Sequence, residues 1–269
     1  GNIAKITLSA GLFTLCLTLC AQMCHEPELP GMDKLAVIED LPNPFLMNNG
    51  RQVQSRVDWQ KRRTEIKAMM LYYQYGHMPP PPGNVTAQEL SCEEVLDGQA
   101  RQKHLLLSMG PDKQIKVNVG MTIPQGNGPF PVILKNDSKI FNVPIAEEII
   151  KRGYVIVEYI RTDLDPDANN IVGPAQAAYP DYDWATLAVW AWGGMRVIDY
   201  LATLDYIDRK HIVFTGQSRG GKTALLAGAL DERIALVTPN GSGCGGAGCY
   251  RIQQEKSETL RDITEPSRF

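Results

Sequence analysis

The chemistry of this sequence centres on one serine between two glycines. Residues 216–220 read Gly-Gln-Ser-Arg-Gly and match the Gly-x-Ser-x-Gly pattern, in which a strand turns sharply into a helix. The turn crowds the backbone, so residues without Cβ are needed on both sides of the serine. It presents the hydroxyl above the sheet edge and directs the first N–H groups of the helix at developing negative charge. Ser218 is therefore the predicted nucleophile, and an idle serine in a glycine-rich turn is the alternative.

A nucleophilic serine needs a base, usually a histidine that a carboxylate orients. In folds with this turn the order along the chain is serine, acid, histidine. The four histidines are His25, His77, His104 and His211, and all of them precede Ser218. His211 starts the predicted strand before the turn, so at about 3.3 Å per residue it should lie roughly 20 Å from Ser218. The sequence predicts either an incomplete hydrolase or a protein that is not a working hydrolase. The first is favoured, because a doubly wound hydrolase sheet normally continues for further strands beyond the point where this sequence ends.

Predicted strands and helices alternate around the serine. Strands are predicted at 104–108, 115–123, 131–135, 154–160, 211–215 and 235–238, and helices at 58–75, 144–151, 184–203 and 222–230. This order predicts an α/β protein with three layers, in which helices cover both faces of a mostly parallel central sheet. Ligands of such sheets bind at the carboxyl ends of the strands. We expect an irregular arm over residues 25–50 and a solvated face at residues 61–63.

Composition excludes several classes of protein. The 269 residues are 43% apolar and 21% charged, as in a globular protein, and this excludes disorder as the main state. Lys+Arg 27 against Asp+Glu 30 gives a net charge of -3, without the basic excess of a nucleic-acid surface. We therefore expect no nucleic-acid partner.

The N-terminus has the pattern of an export signal. Lys5 precedes an uncharged, mostly apolar run at residues 6–21, which is too short for a comfortable membrane span of about 20 apolar residues. We interpret residues 1–24 as the signal and residues 25–269 as one domain, secreted or periplasmic, with no stable membrane span after cleavage. A buried helix or an anchor is the alternative. Export would permit a disulfide between Cys244 and Cys249, with two free thiols as the other possibility.

Three aspartates at every second position of residues 163–167 raise the hypothesis of a calcium-binding loop. Asp163, Asp165 and Asp167 have the spacing of the first ligands. The sixth position is Ala168 and the twelfth is Pro174, where glycine and glutamate are required. This hypothesis is therefore set aside. The segment follows a predicted strand, so we expect it to line the edge of the binding cleft.

Six segments between about residue 55 and residue 260 carry a family resemblance. They are 59–76, 162–167, 182–184, 191–193, 216–222 and 242–246. Together they resemble the glucuronoyl esterases, carbohydrate esterase family 15, which are serine hydrolases of the α/β-hydrolase fold. The most specific segment is Ser-Arg-x-Gly-Lys at residues 218–222. The resemblance implies a three-layer α/β-hydrolase, here incomplete at the C-terminus.

The family also implies a reaction and a set of site residues. Its members cleave the ester between lignin alcohols and 4-O-methylglucuronic acid of glucuronoxylan, without a metal or a cofactor. Ser218 matches their nucleophile, and Arg219 matches the arginine that supports the oxyanion, a role suited to its fixed charge and forked donors. Lys222 matches the lysine that holds sugar hydroxyls, and Glu258 resembles the sugar-binding glutamate of bacterial members. Cations at a helix N-terminus interact unfavourably with the helix dipole. A functional role for Arg219 and Lys222 is therefore favoured over the alternative that they are two exposed cations without a role. We expect a monomer.

The sequence also departs from the family pattern. Many members carry the triad acid where this chain has Gly241, and some bacterial members place an acid on a later loop instead. The later tryptophan and histidine of the family do not occur within the 269 residues. We therefore expect negligible esterase activity from this chain. The alternatives are an acetyl xylan esterase and a non-catalytic protein that binds carbohydrate.

Overall fold

The structure is a computed structural model that describes residues 29–168, 171–251 and 255–259. The predicted export signal at residues 1–24 and His25 lie outside these ranges. Within them, no helix combines the length and the apolar character needed to cross a bilayer.

Seven strands form one mixed sheet. Its order is β1-β2-β3-β5-β4-β6-β7, with β1 at Thr86–Val95, β2 at Ala100–Met109, β3 at Ile115–Pro124, β4 at Phe130–Asp137, β5 at Val155–Ile160, β6 at Ile207–Gln217 and β7 at Ile234–Asn240. Strands β5, β4, β6 and β7 pair in parallel, whereas β1, β2, β3 and β5 pair antiparallel. All strands except β1 and β3 therefore run in one direction, as predicted. The sheet confirms the α/β class.

Helices flank the sheet. They are α1 at Arg56–Met70, which continues as a π-helical turn at Leu71–Tyr75, α2 at Ala146–Lys151, α3 at Pro174–Ala178, α4 at Thr186–Leu201 and α5 at Arg219–Leu230. Short 3-10 turns lie at Met32–Lys34, Pro111–Lys113 and Arg161–Asp163. Helix α4 is apolar on nearly all sides and is almost entirely buried, as expected for a helix without a polar face. Trp190 and Trp192 of α4 join strand residues in the main core.

Two predictions about the elements need correction. Strand β1 was not predicted, because nearly all its residues are exposed and it shows no apolar alternation. Arg62 was expected on a solvated face, but it is only 7% exposed. The irregular arm covers this residue: Arg62 donates to the carbonyl of Pro44 at 3.3 Å and to Oδ1 of Asn48 at 2.7 Å. The arm itself is irregular, as predicted, over its described part.

Candidate active site

The junction of β6 and α5 forms the sharp turn that the glycines predicted. Ser218 is the N-cap of α5, with φ 54° and ψ −120°, a conformation that costs a non-glycine residue energy and is found at functional sites. A Cβ on Gly216 would lie 2.3 Å from the carbonyl oxygen of Gly220. A Cβ on Gly220 would lie 2.7 Å from Oδ1 of Asn136. Both glycines are therefore sterically required, and Ser218 is exposed above the sheet edge.

Two asparagines on the neighbouring strands hold this turn. Asn136 near the end of β4 is buried, and its Nδ2 donates to the carbonyls of Thr215 at 3.2 Å and Gly220 at 2.9 Å. On the other side, the backbone N–H of Ser218 donates to the carbonyl of Asn240 at 2.9 Å. Sequence reasoning missed both asparagines. A polar amide at the end of an apolar strand was the available signal for Asn136.

The guanidinium of Arg219 lies against an acid from another loop. Nη1 of Arg219 donates to Oδ1 of Asp167, and the two side chains are 35% and 27% exposed. Asp167 also lies 3.8 Å from Nη2 of Arg161, whose guanidinium sits 4.7 Å from the ring centroid of Trp190. The segment after β5 therefore lines the site, as predicted.

The ammonium of Lys222 is buried and paired. Lys222 is 2% exposed, and its Nζ donates to Oε2 of Glu258 at 2.7 Å. Glu258 remains 51% exposed. Gly243 passes close to the pair, since a Cβ there would lie 2.8 Å from Oε2 of Glu258. The structure thus brings Lys222 and Glu258 together, and burial excludes the alternative of an idle exposed lysine.

Each histidine of the described ranges contacts a polar side chain other than Ser218. Nδ1 of His77 lies 2.9 Å from Oδ1 of Asp183, and Nε2 of His104 lies 2.8 Å from Oδ1 of Asn118. His211 occupies the middle of β6, and its Nδ1 lies 2.7 Å from Oδ2 of Asp208. These contacts leave the base for Ser218 unassigned.

A buried acid fixes the loop that follows β4. In folds with this serine turn, that loop supplies the second N–H to the oxyanion. Glu158 on β5 accepts from the backbone N–H of Asn142 at 3.1 Å. Burial raises the pKa of Glu158, and Nζ of Lys135 lies 3.7 Å from its carboxylate. The contact anchors the loop that follows β4 to the neighbouring strand β5.

Asp163 and Asp165 accept hydrogen bonds from backbone N–H groups, and Cys244 and Cys249 are not joined by a disulfide. Asp163 accepts from the backbone N–H of Asn118 at 2.9 Å, while Asp165 is buried and accepts from the backbone N–H of Gly173 at 2.8 Å. Burial raises the pKa of Asp165. Cys244 and Cys249 are free thiols rather than a disulfide. In the part of the chain that the structure describes, no group of three or more metal-ligating side chains is present.

Known proteins resemble this chain over most of its length. A profile described as "Glucuronyl esterase, fungi" matches residues 109–268. The 4-O-methyl-glucuronoyl methylesterase 1 of Wolfiporia cocos is 31% identical over 255 residues, which cover 90% of this chain and 59% of that protein. The chain spans about half the length of the curated relatives that it matches.

Solved structures show the same architecture. A promiscuous CE15 esterase from a marine bacterial metagenome superposes with a TM-score of 0.74 and 28% identity, covering 90% of this chain and 70% of that one. A mutant glucuronoyl esterase from Sporotrichum thermophile, solved in complex with methyl 4-O-methyl-beta-D-glucopyranuronate, gives a TM-score of 0.63 and 30% identity. The alignment covers 78% of this chain and 55% of that one.

Proposed function

The chain belongs to the glucuronyl esterase family, and from this premise we propose that it is a carboxylic ester hydrolase acting on glucuronate esters. Its substrate is the ester between 4-O-methylglucuronate of glucuronoxylan and lignin alcohols. The observation that carries the proposal is the strained, exposed Ser218, followed within one helical turn by Arg219 and Lys222. The substrate complex of the Sporotrichum esterase supports the choice of a uronate ester.

The proposed reaction is acyl transfer through Ser218. Its oxygen attacks the carbonyl carbon of the uronate ester and loses its proton to a base. The carbonyl oxygen becomes an oxyanion, which the guanidinium of Arg219 and the N–H groups at the start of α5 stabilise. The alcohol leaves with a proton, and water then hydrolyses the glucuronoyl ester on Ser218. Lys222 donates to hydroxyls of the sugar, and Glu258 accepts from them.

No base is assigned to Ser218 among the described residues. No histidine follows Ser218 in the 269 residues. Loss of one member of a catalytic triad lowers the rate by several orders of magnitude. We therefore expect negligible hydrolysis by the chain alone, while binding of the sugar ester is retained, because the proposed binding residues Arg219, Lys222 and Glu258 do not depend on the base.

Added imidazole tests the proposal, because it can serve as the base. We expect methyl glucuronate to be hydrolysed in an imidazole-dependent reaction that Ser218→Ala abolishes and that exceeds hydrolysis of acetylated xylan. A preference for acetylated xylan would indicate an acetyl xylan esterase. Binding of methyl glucuronate without any hydrolysis that depends on Ser218 would indicate a carbohydrate-binding protein instead.

The organisation of the chain is part of the proposal. Residues 25–269 would be a single, monomeric hydrolase domain, and residues 1–24 would direct its export. A plant cell-wall substrate lies outside the cell, which supports a secreted or periplasmic location. Neither nucleic acid nor membrane is proposed as a partner.

A further inference from the structure

Each cation beside Ser218 has a carboxylate partner from a different part of the chain. Arg219 contacts Asp167 on the loop after β5, and Lys222 contacts Glu258 near the end of the described chain. The two partners lie 52 and 36 residues away in sequence, so the fold brings them to the site. The charge that an incoming sugar meets is therefore much smaller than two free cations would give.

Asp167 is itself held in place from the core. Its Oδ2 lies 3.8 Å from Nη2 of Arg161, and the guanidinium of Arg161 lies over the ring of Trp190. Trp190 is fully buried, and its Nε1 donates to the carbonyl of Asp165 at 2.8 Å. These contacts hold the carboxylate that accepts a hydrogen bond from Nη1 of Arg219.

We propose that Asp167 is a positioning and specificity-determining residue, whose carboxylate aims Arg219 and offsets its charge so that the site prefers an uncharged uronate ester to the uronate anion. This inference rests on the proposed function. The substrate ester is neutral at its carboxyl group, whereas the product carries a negative charge there. An uncompensated guanidinium would hold the product, and the paired guanidinium releases it. The remaining N–H groups of Arg219 still stabilise the oxyanion, whose charge appears only during the reaction.

The test compares the affinities of a neutral and a charged ligand, and it requires no turnover. Isothermal titration calorimetry would measure the affinities for methyl glucuronate and for sodium glucuronate. We expect Asp167→Asn to raise the affinity for glucuronate about tenfold, since a partly exposed charge pair is screened by solvent, and to change that for the ester less than about twofold. Asp208→Asn is the matched control: it removes the same charge beside His211 on β6, and we expect no change in either affinity.

Two further variants distinguish the effect of the charge of Asp167 from an effect of this residue on folding. Asp167→Glu keeps the charge and should restore the preference for the ester. In an Arg219→Gln background, Asp167→Asn should no longer alter the ratio of the two affinities. A purely structural role of Asp167 would not make the effect of this substitution depend on Arg219. An unchanged ratio in Asp167→Asn, or an equal loss for both ligands, would overturn the proposal and leave the proposed function standing. If the unmodified chain binds neither ligand, the proposed function itself fails.

Discussion

The parallel and antiparallel halves of the sheet serve different purposes. In the parallel half, β4 to β7, the carboxyl ends carry Asn136, Asp167, Ser218 and the turn that begins at Gly241. In the antiparallel half, β1 to β3, the edge strand β1 is exposed along almost its whole length, β3 is mostly buried, and no candidate site residue lies on these strands. Parallel strands need crossover connections, which bring several loops to one edge of the sheet. The difference teaches that this topology assembles the site, while the antiparallel strands extend the core.

Matched glycine substitutions give the largest expected contrast between the halves. At Gly216, a methyl group would lie 2.3 Å from a backbone oxygen and 2.5 Å from Nδ2 of buried Asn136, and neither atom can move freely. We expect Gly216→Ala to lower the free energy of unfolding by about 3 kcal/mol. Gly98, in the turn between β1 and β2, has φ +78° and open space around its Cβ position. We expect Gly98→Ala to cost about 1 kcal/mol, from backbone strain alone.

Urea unfolding of both variants checks this contrast. Similar losses in the two halves would mean that the turn at Ser218 is no more crowded than a surface hairpin. In that case the steric reason for the glycines would be wrong.

Local patterns predicted the parts of the site that are contiguous in sequence. The glycines, the serine and the two cations lie within residues 216–222, and apolar runs marked most strands. The pairing of Asp167 with Arg219 could not be predicted, because it depends on the order β5-β4-β6, which no local pattern encodes. The partners of Asn136 lie 79 and 84 residues away in sequence, and they depend on the same topology. The burial of Arg62 depends on where the arm packs.

A smaller effect on stability is expected from replacing Glu158 on β5, the strand at which the two halves of the sheet meet. Burial raises the pKa of Glu158 in the folded state. Its favourable contribution to stability is then complete below the unfolded value of about 4.3 and is lost as pH rises through the folded value. Glu158→Gln cannot titrate, so we expect its stability relative to the unmodified protein to increase as the pH rises above about 4 and through the folded pKa of Glu158.

Urea unfolding at a series of pH values measures this effect. Glu93→Gln on exposed β1 is the control from the antiparallel half, because it makes the same substitution at a carboxyl that is not buried. A difference for Glu158→Gln that does not change with pH would show that burial does not raise the pKa of this carboxyl.

The most direct test of the central claim is a crystal structure of Ser218→Ala with methyl glucuronate bound. The account predicts that the ester carbonyl carbon lies within about 3.5 Å of the position that the Ser218 oxygen occupies, the distance at which attack can occur. It also predicts that Lys222 and Glu258 contact the sugar hydroxyls. A sugar bound away from the turn between β6 and α5, or an ester carbonyl pointing away from Arg219, would contradict it.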